Sequence, residues 1–578
     1  MTATLRSGLT AVVRKVKKVD RSFLLIVLGV IVACLFPLYH TGWPVNHEFL
    51  AFVYRTNIYL AHMLHGDVFP IWSSSDAFGL GTPEAFFYHK SFYYVASIFF
   101  GVFSSMQVAL VITIGAFLLV GAYGFRRLLK SAGITQSAIL IVFPLLFISS
   151  NYVFTNWLIR GAMAEFAAMM ILPWLVVWCV DVIIKKRLSF TIVPIFVLLY
   201  FSHNIIALFS LPLMTVAFVI FVITSARALS PNKLVLFAKS QAIRGCVIVA
   251  SLIGLMLPYI YIYMKYSPDY SPSGITSQGY LATQNFLPKS AYLFSSPFRW
   301  LQDGVTMNLN VGYIINLVVI GSILLYLFLL ITKKAIQQRA VVLFFVISLS
   351  IYWVIILPKS SWLYTKISIL QFIQFPWRNL TFITTLSLCL GAMALSELVR
   401  INKQLGLIVL VTMAIGSIGL SPVTYYRSID VTYLPKDLVE EKYVGTQKKE
   451  VPPSIIGIGQ YLPLLVKNGK DVPVREVLNG YVTDAAAEEN HIIVANGCQA
   501  HEMTTDFESN TKAFRVSCSQ PTEVILPVNY TGMTKARWTS NNGKQKLDTF
   551  RTPNDGRIHV RVPANGDGVI TIRLPRLL

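Results

Sequence analysis

The sequence has 578 residues, and its composition excludes a soluble protein of that length. Hydrophobic residues make up 55% and charged residues 13%, against about 25% charged residues in a typical soluble domain. The mean hydropathy is +0.61. The net charge of +22 does not indicate a nucleic-acid partner: residues 422–578 hold 19 basic and 17 acidic residues, a net of +2, so +20 lies in the hydrophobic part. Basic residues there set membrane topology. We expect a polytopic membrane protein with no nucleic acid bound.

Eleven apolar runs are suited to cross a bilayer as helices, each of which needs about 17–25 residues. They lie at 23–42, 107–125, 133–150, 162–184, 189–204, 205–225, 246–264, 311–332, 340–357, 379–398 and 404–421. The pair 189–204 and 205–225 is either a tight hairpin or a broken helix, because its tip is only Ser202-His203-Asn204.

The basic residues predict the orientation. Of the 30 in the hydrophobic part, 21 fall on one face and 9 on the other, and the positive-inside rule makes the first face cytoplasmic. The basic segment 1–22 is then cytoplasmic, the spans fill 23–421, and a large first outer loop covers 41–106. The first span has no clear cleavage site, so we expect a retained anchor. The carboxyl terminus lies outside, and we expect a bacterial cytoplasmic (inner) membrane.

Residues 422–578 differ from the rest of the chain. Short alternating runs such as 558–562 and 569–572 are separated by Asn-Gly, Asp-Gly and proline-containing turns, which is typical of β structure. The region is predicted to be a β-rich extracytoplasmic domain. Cys498 and Cys518 are its only cysteines, so we expect a disulfide in that oxidising compartment. Cys34, Cys179, Cys246 and Cys389 lie in spans and are expected to be buried packing residues.

A helix is predicted over 47–65 in the first outer loop. Asn46 suits an N-cap and Gly66 the residue that ends the helix. Glu48, Arg55 and His62 are seven residues apart and form one polar stripe. The stripe is either the solvated face of an interfacial helix or part of a functional site.

Two further places put ionisable groups at the outer mouth of a span, where they are costly and usually functional. Arg160 and Glu165 are either a structural ion pair or ligand-binding groups. Arg378, next to Trp377, is either a snorkelling cation or a ligand-binding group. A carboxylate can accept a proton from a sugar hydroxyl, and an arginine can hold a phosphate through its fork of donors.

These blocks, in this order, resemble a known family. His47-Glu48, Arg55, the run 66–72 (GDVFPIW), Gly79-Leu80-Gly81 and Phe86-Phe87-Tyr88 are similar to the opening of the bacterial multi-pass membrane family labelled 6-pyruvoyl-tetrahydropterin synthase-related. More broadly they resemble the GT-C glycosyltransferases. The Arg-Gly-Ala-x-x-Glu at 160–165 and Gln-Phe-Pro-Trp-Arg at 374–378 match further blocks, so that the resemblance covers roughly residues 20–420. The family more often shows His-Asp where this chain has His47-Glu48. Nothing in the chain resembles a soluble pterin enzyme.

The resemblance implies a GT-C-like membrane glycosyltransferase that takes a sugar from a polyprenyl-phosphate donor at the outer face. A cell-envelope glycan, lipid or protein would be the acceptor. Glu48, with His47 beside it, is expected to be the catalytic base of an inverting transfer. The donor phosphate is assigned to Arg55, Arg160 and Arg378, and supporting positions to Glu165, Asp67, Trp377 and His203.

Three matters stay open at this stage. A magnesium or manganese ion on Glu48 would suit oxygen ligands, but reactions of this type also proceed without metal. One alternative function is a transporter or flippase of lipid-linked glycans, against which the few mid-membrane ionisable residues count. Another is a non-catalytic envelope scaffold that binds glycan through the C-terminal domain.

Overall fold

A computed structural model describes most of the helical part of the chain and parts of the C-terminal region. The described residues are 21–46, 48–74, 80–267, 269–272, 311–373, 375–419, 432–434, 461–467, 470–473, 493–494, 498–506, 511–552, 555–563 and 566–575. The basic segment 1–20, His47, most of the predicted outer loop 265–310 and most of 420–492 lie outside them.

The protein is a polytopic helical membrane protein with a β-rich C-terminal region. Nine helices in the described part of the chain are long and apolar enough to cross a membrane: Arg21–Thr41, Met106–Ser131, Ile139–Ile159, Met163–Lys185, Asn204–Ala226, Pro231–Tyr266, Ile314–Ile331, Arg339–Ile356 and Pro376–Ile401. Each matches one of the apolar runs predicted from the sequence.

The other two predicted spans are helical but shorter. Ile192–Ser202 has 11 residues. His203 follows it with an extended backbone (φ −164°), which interrupts the helical conformation before the next helix. Lys403–Ala414 has 12 residues and passes into a π-helical turn, Ile415–Gly419. Within the described residues, all eleven predicted runs form helix, but only nine of these helices are long enough to cross a membrane.

The chain divides into two compact units, which are described separately below. The first contains Met1–Glu48, Leu110–Ser251 and Gly279–Pro435, and the second Phe49–Ala109, Leu252–Gln278 and Lys436–Leu578. The domain border predicted at 421 lies outside the described residues, so that division stays a prediction.

In the first unit, three helices are the most enclosed. The most apolar windows of Ile139–Ile159 and Pro376–Ile401 are 89% buried and that of Met163–Lys185 is 83% buried, against 33% for Arg21–Thr41. A two-stranded sheet, Trp43–Val45 with Thr432–Leu434, joins the segment after the first span to the segment after the last. Four of the predicted site residues lie at the ends of these three helices: Arg160, Glu165, Trp377 and Arg378.

The second unit holds the helix predicted over 47–65, which the structure gives as Phe49–Leu64. Gly66 follows it with φ +76°, as its predicted role at the helix end requires. Arg55 is only 3% exposed and His62 only 5%. The interpretation as a solvated helix face is therefore wrong, because both polar side chains are buried against partners of their own. The unit also contains the helices Glu84–Phe87 and Ser91–Phe103 and the part of Pro231–Tyr266 from Leu252 onward.

The β-rich region of the second unit contains two antiparallel sheets around one hydrophobic core. The strand order is Gly543–Leu547, Lys535–Ser540, Gly566–Arg573, Thr511–Cys518, Cys498–Asp506 in one sheet and Thr549–Thr552, Asp555–Val562, Thr522–Asn529, Ile493–Val494 in the other. Thr511–Cys518 alternates buried and more exposed residues, so its apolar side chains share one face. Cys498 and Cys518 are cross-strand partners and form a disulfide. A smaller sheet contains Tyr270–Pro272, Tyr461–Lys467 and Lys470–Pro473.

The described parts of the loop motif, residues 66–74 and 80–88, contribute side chains to this same core. Trp72 is fully buried, and a β-carbon on Gly81 (φ +81°) would lie 2.6 Å from its Nε1, so only glycine fits there. Asn529 of the β region donates from Nδ2 to the Gly81 carbonyl at 2.8 Å. These residues thus join the loop to the β region.

The cysteines of the spans follow the prediction with one exception. Cys34, Cys179 and Cys389 are buried, but Cys246 is exposed. Its helix is Pro231–Tyr266, and only 11% of the most apolar 18-residue stretch of that helix is buried in the protein. Cys246 therefore lies on an exposed part of the helix.

Candidate functional site

A short loop joins two of the enclosed helices of the first unit and carries the Arg160–Glu165 pair. The preceding helix ends in a π-helical turn, Thr155–Ile159, and the Arg160 amide donates to the Thr155 carbonyl at 2.9 Å. Gly161 then takes a left-handed conformation (φ +68°). This reversal turns the Arg160 guanidinium back over the first turn of the next helix, where its Nη1 lies 3.0 Å from Glu165 Oε2.

The Glu165 carboxylate is the centre of the cluster. It is 1% exposed, and both of its oxygens accept hydrogen bonds. Tyr152 donates its hydroxyl to Oε1 at 2.6 Å, and the Thr381 hydroxyl lies 3.5 Å from the same oxygen. Hydrogen bonds of this kind compensate a buried carboxylate for the water that it has lost, and they fix the position of Glu165.

Arg378 is the second cation on this carboxylate. Its Nε lies 3.4 Å from Glu165 Oε2, and its Nη1 donates to the Ile373 carbonyl at 3.2 Å. The residue belongs to a 3₁₀ turn, Pro376–Asn379, at the start of the third enclosed helix. Two arginines from separate loops therefore share one carboxylate.

Aromatic rings orient both guanidiniums. The Trp377 ring lies under Arg160, with 4.4 Å from Cζ to the ring centroid, and it stacks on Phe375 at 5.1 Å. Phe375 in turn lies 5.2 Å from the Arg378 Cζ. Such contacts are attractive and are stronger when desolvated. Trp377 is 5% exposed, so it supports the arginine rather than offering a face to a sugar ring.

Asn46 links the segment before Glu48 to the Arg160 loop. Its Nδ2 donates to the Leu158 carbonyl at 3.1 Å. Its Oδ1 occupies the space beside Gly161, only 2.2 Å from where a β-carbon would stand. The predicted N-cap role of Asn46 is wrong, because the helix begins three residues later at Phe49 and the amide bonds to the neighbouring loop instead.

Glu48 lies at the edge of this cluster. It is half-buried, in the turn before the helix Phe49–Leu64, and its charge interacts with both Arg160 and Arg378. Burial by itself lowers the pKa of Arg160, but the negative charge of Glu165, with smaller contributions from Tyr152 and Glu48, raises that pKa overall. Arg160 is thus a permanent cation.

The remaining predicted residues of the first unit are His203 and His47. His203 is 4% exposed and its Nδ1 accepts the Ile206 amide at 3.3 Å, so the neutral ring carries its proton on Nε2. Its ring interacts electrostatically with Arg378 and Arg160. His47 lies outside the described residues, and its assignment stays a prediction.

Arg55 and Asp67 belong to the second unit, and each has a partner there. Arg55 contacts Glu84 through Nε at 2.9 Å and Nη2 at 2.8 Å, and its Cζ lies 3.3 Å over the Tyr88 ring. Asp67 bonds the Nδ1 of His62 at 3.0 Å. Because Glu84 already engages the Arg55 fork, the geometry does not favour Arg55 as a phosphate ligand.

Sequence reasoning missed Tyr152, Asn156 and Thr381. Asn156 is fully buried and accepts a hydrogen bond from Arg160. Its spacing of four residues from Arg160 is the one signal in the sequence that connects them. Tyr152 and Thr381 carry no such signal, because they reach Glu165 only through the folded chain.

The described residues do not fit a divalent metal ion at this cluster. Both Glu165 oxygens are engaged by donors, and two guanidinium charges beside them repel a cation. Among the residues that the structure describes, no group of three histidine, cysteine, aspartate or glutamate side chains is placed to hold an ion. These contacts of Glu165 do not test the expected magnesium or manganese ion on Glu48, so that ion stays a prediction and no catalytic step is assigned to it.

Comparison with known proteins gives a likeness of structure only. No family model matches the sequence, and no curated protein matches it. The chain is similar to the apo oligosaccharyltransferase of Archaeoglobus fulgidus (11% identity, TM-score 0.39, 75% of this chain and 60% of that one). The archaeal oligosaccharyltransferase AglB from Archaeoglobus fulgidus, in complex with an inhibitory peptide and a dolichol-phosphate, is another similar structure (11% identity, TM-score 0.38, 76% of this chain and 60% of that one).

The arabinofuranosyltransferase AftD from Mycobacteria is a further similar structure (10% identity, TM-score 0.42, 96% of this chain and 57% of that one). The chain thus spans about 60% of the length of the proteins it is similar to. Since no family model matches the sequence, the synthase label of the resembled family has no support.

Proposed function

We propose that this protein is a membrane glycosyltransferase of the GT-C type that uses a polyprenyl-phosphate-linked sugar. It would act at the extracytoplasmic face of a bacterial cytoplasmic membrane and transfer the sugar to a cell-envelope glycan, lipid or protein. The observation that carries the proposal is a pair of arginines, Arg160 and Arg378, that share the single carboxylate of Glu165, with Glu48 in electrostatic reach. Arg160 is buried, and the side chain of Arg378 is 12% exposed.

The charges of this cluster suit a phosphate leaving group. Arg160 and Arg378 both lie beside Glu165, and a donor phosphodiester would place its single negative charge against the same two guanidiniums. When the bond from the sugar anomeric carbon to the phosphate oxygen breaks, its electron pair stays on that oxygen and the phosphate gains a second negative charge. Fixed guanidiniums that face the developing charge favour the transition state over the bound donor.

In this proposal Glu48 acts as the base. The acceptor hydroxyl oxygen forms the new bond to the anomeric carbon on the side opposite the leaving phosphate, and its proton passes to the Glu48 carboxylate. The configuration of the sugar is therefore inverted. A general base of this kind contributes on the order of 10²–10⁴ in rate.

The test uses the full chain in lipid nanodiscs with a panel of polyprenyl-phosphate sugars and an acceptor extract, and it measures release of polyprenyl phosphate. Glu48→Gln should lose at least about a hundredfold in release with its unfolding temperature unchanged. Asp181→Asn is the matched control, because Asp181 pairs with Lys185 at the other end of the helix that carries Glu165. It should keep the wild-type rate.

Two outcomes would contradict the proposal. Donor binding without release in the wild type would favour a transporter or flippase of lipid-linked glycans. Equal behaviour of wild type and Glu48→Gln, with glycan bound by the C-terminal region, would favour a non-catalytic scaffold.

A further inference from the structure

A groove of about 520 Å³ lies at the far end of the Glu165 helix, in the first unit and apart from the cluster described above. It is lined by the loop that follows Met163–Lys185 and by one face of the helix Pro231–Tyr266. Its lining consists of three cations, one hydroxyl and three apolar side chains: Arg187, Lys239, Arg244, Ser240, Phe190, Leu236 and Ile243.

Two contacts fix the loop against the helix and so define the groove. The Leu188 amide donates to Gln241 Oε1 at 2.9 Å. Leu188 itself is 7% exposed and packs over Gly245, where its Cδ1 lies 3.7 Å from the position of a β-carbon. The groove is therefore a built feature of the fold rather than a gap beside a loose loop.

The lining has an unbalanced positive charge. No carboxylate belongs to it, and within the described part of the chain none of its three cations forms an ion pair. Arg187 and Lys239 are exposed and Arg244 is half-buried. The apolar members Leu236 and Ile243 are seven residues apart, so they share the helix face that carries the cations.

The position of the groove relative to the spans suggests what fills it. Arg187 follows the candidate span Met163–Lys185 by two residues. Arg244 directly precedes the apolar run at 246–264. The three cations thus stand at one membrane boundary, on the face that the distribution of basic residues predicts to be cytoplasmic. Basic pockets between helices at that level bind anionic lipid headgroups.

We propose that this groove binds one anionic phospholipid. The lipid phosphate would accept hydrogen bonds from Arg187, Lys239 and Arg244. Each guanidinium would donate to two phosphate oxygens. The first part of an acyl chain would lie along Phe190, Leu236 and Ile243. This site is independent of the proposed transferase activity.

The test is native mass spectrometry of the delipidated full chain during titration with phosphatidylglycerol, and with phosphatidylcholine as the neutral lipid. The triple variant R187Q/K239Q/R244Q should weaken phosphatidylglycerol binding by on the order of a hundredfold, as expected for three basic residues near a headgroup. Its matched control is K333Q/K334Q/R339Q, which removes three exposed cations from the same predicted face and should bind as the wild type does.

Four results would overturn the proposal. Equal weakening in both triple variants would mean that only the net charge matters. Equal binding of the neutral lipid, or an unchanged R187Q/K239Q/R244Q, would remove the anion site. Displacement of the lipid by millimolar glycerol 3-phosphate would indicate a site for a free phosphate. If the triple variant loses its monodisperse elution, R244Q alone replaces it, compared with R339Q.

Discussion

Gly161 offers the sharpest test of how the cluster is assembled. The residue has φ +68°, and a β-carbon there would lie 2.2 Å from Asn46 Oδ1 and 2.7 Å from its Cγ. Gly161→Ala therefore does two separable things. It places an alanine in a left-handed conformation, and it displaces the Asn46 amide from the Leu158 carbonyl that it now bonds.

Both effects have known sizes. The left-handed conformation costs an alanine about 1 kcal/mol. Loss of the Asn46 hydrogen bond costs about 1 kcal/mol more. We expect Gly161→Ala to lower the free energy of unfolding by about 2 kcal/mol, and Asn46→Ala by about 1 kcal/mol. Because Asn46 stands two residues before Glu48, both variants should also slow polyprenyl phosphate release.

A double-mutant cycle separates the two effects, with unfolding followed in mixed micelles at increasing denaturant. In the Asn46→Ala background the clash is gone, so Gly161→Ala should cost only the conformational term. The two changes together should cost about 2 kcal/mol rather than 3, a coupling of about 1 kcal/mol. Strict additivity, to within about 0.4 kcal/mol, would refute the contact between Asn46 and Gly161.

Three further predictions concern single contacts. Tyr152→Phe removes the 2.6 Å hydrogen bond to Glu165 and should lower the free energy of unfolding by about 1.5–3 kcal/mol; an unchanged denaturation midpoint would contradict the shared carboxylate. Replacing Cys498 and Cys518 by serine opens a link across 20 residues and should destabilise the C-terminal region by about 3 kcal/mol, measured as faster proteolysis there that reductant reproduces in the wild type. Burial lowers the pKa of Lys90 from 10.5 to about 7, so the unfolded chain binds more protons between those values and stability should rise with pH across that window. Lys90→Met should lose this rise, and parallel curves of unfolding temperature against pH would contradict it.

The helices could be predicted from the sequence because a bilayer demands long apolar runs, and each run is a local signal. The arginines and carboxylates of the cluster could be predicted as site candidates, because a charged side chain at the membrane-facing end of a span has a high free-energy cost. Arg160, Glu165, Trp377 and Arg378 lie together in the structure.

The pairing of these groups could not be predicted, because it is set by distant parts of the chain. Arg378 is more than two hundred residues from Glu165, and Asn46 is separated from Leu158 by 112 residues. The interpretation of the polar stripe in the first outer loop as a solvated helix face was wrong for a related reason. Helical periodicity puts Arg55 and His62 on one face. Only the folded structure shows that both side chains are buried and paired with Glu84 and Asp67.

The most direct test of the central claim is the affinity of the wild type, Arg378→Gln and Glu48→Gln for polyprenyl phosphate, measured in nanodiscs at constant ionic strength. The two arginines are assigned to the phosphate and Glu48 to the acceptor proton. Arg378→Gln should therefore weaken binding by about 10–100-fold, the equivalent of a charged hydrogen bond. Glu48→Gln removes a like charge near the phosphate, so it should bind as tightly as the wild type or more tightly, while release falls by at least about a hundredfold. Weaker binding by Glu48→Gln, or unchanged binding by Arg378→Gln, would contradict the assignment.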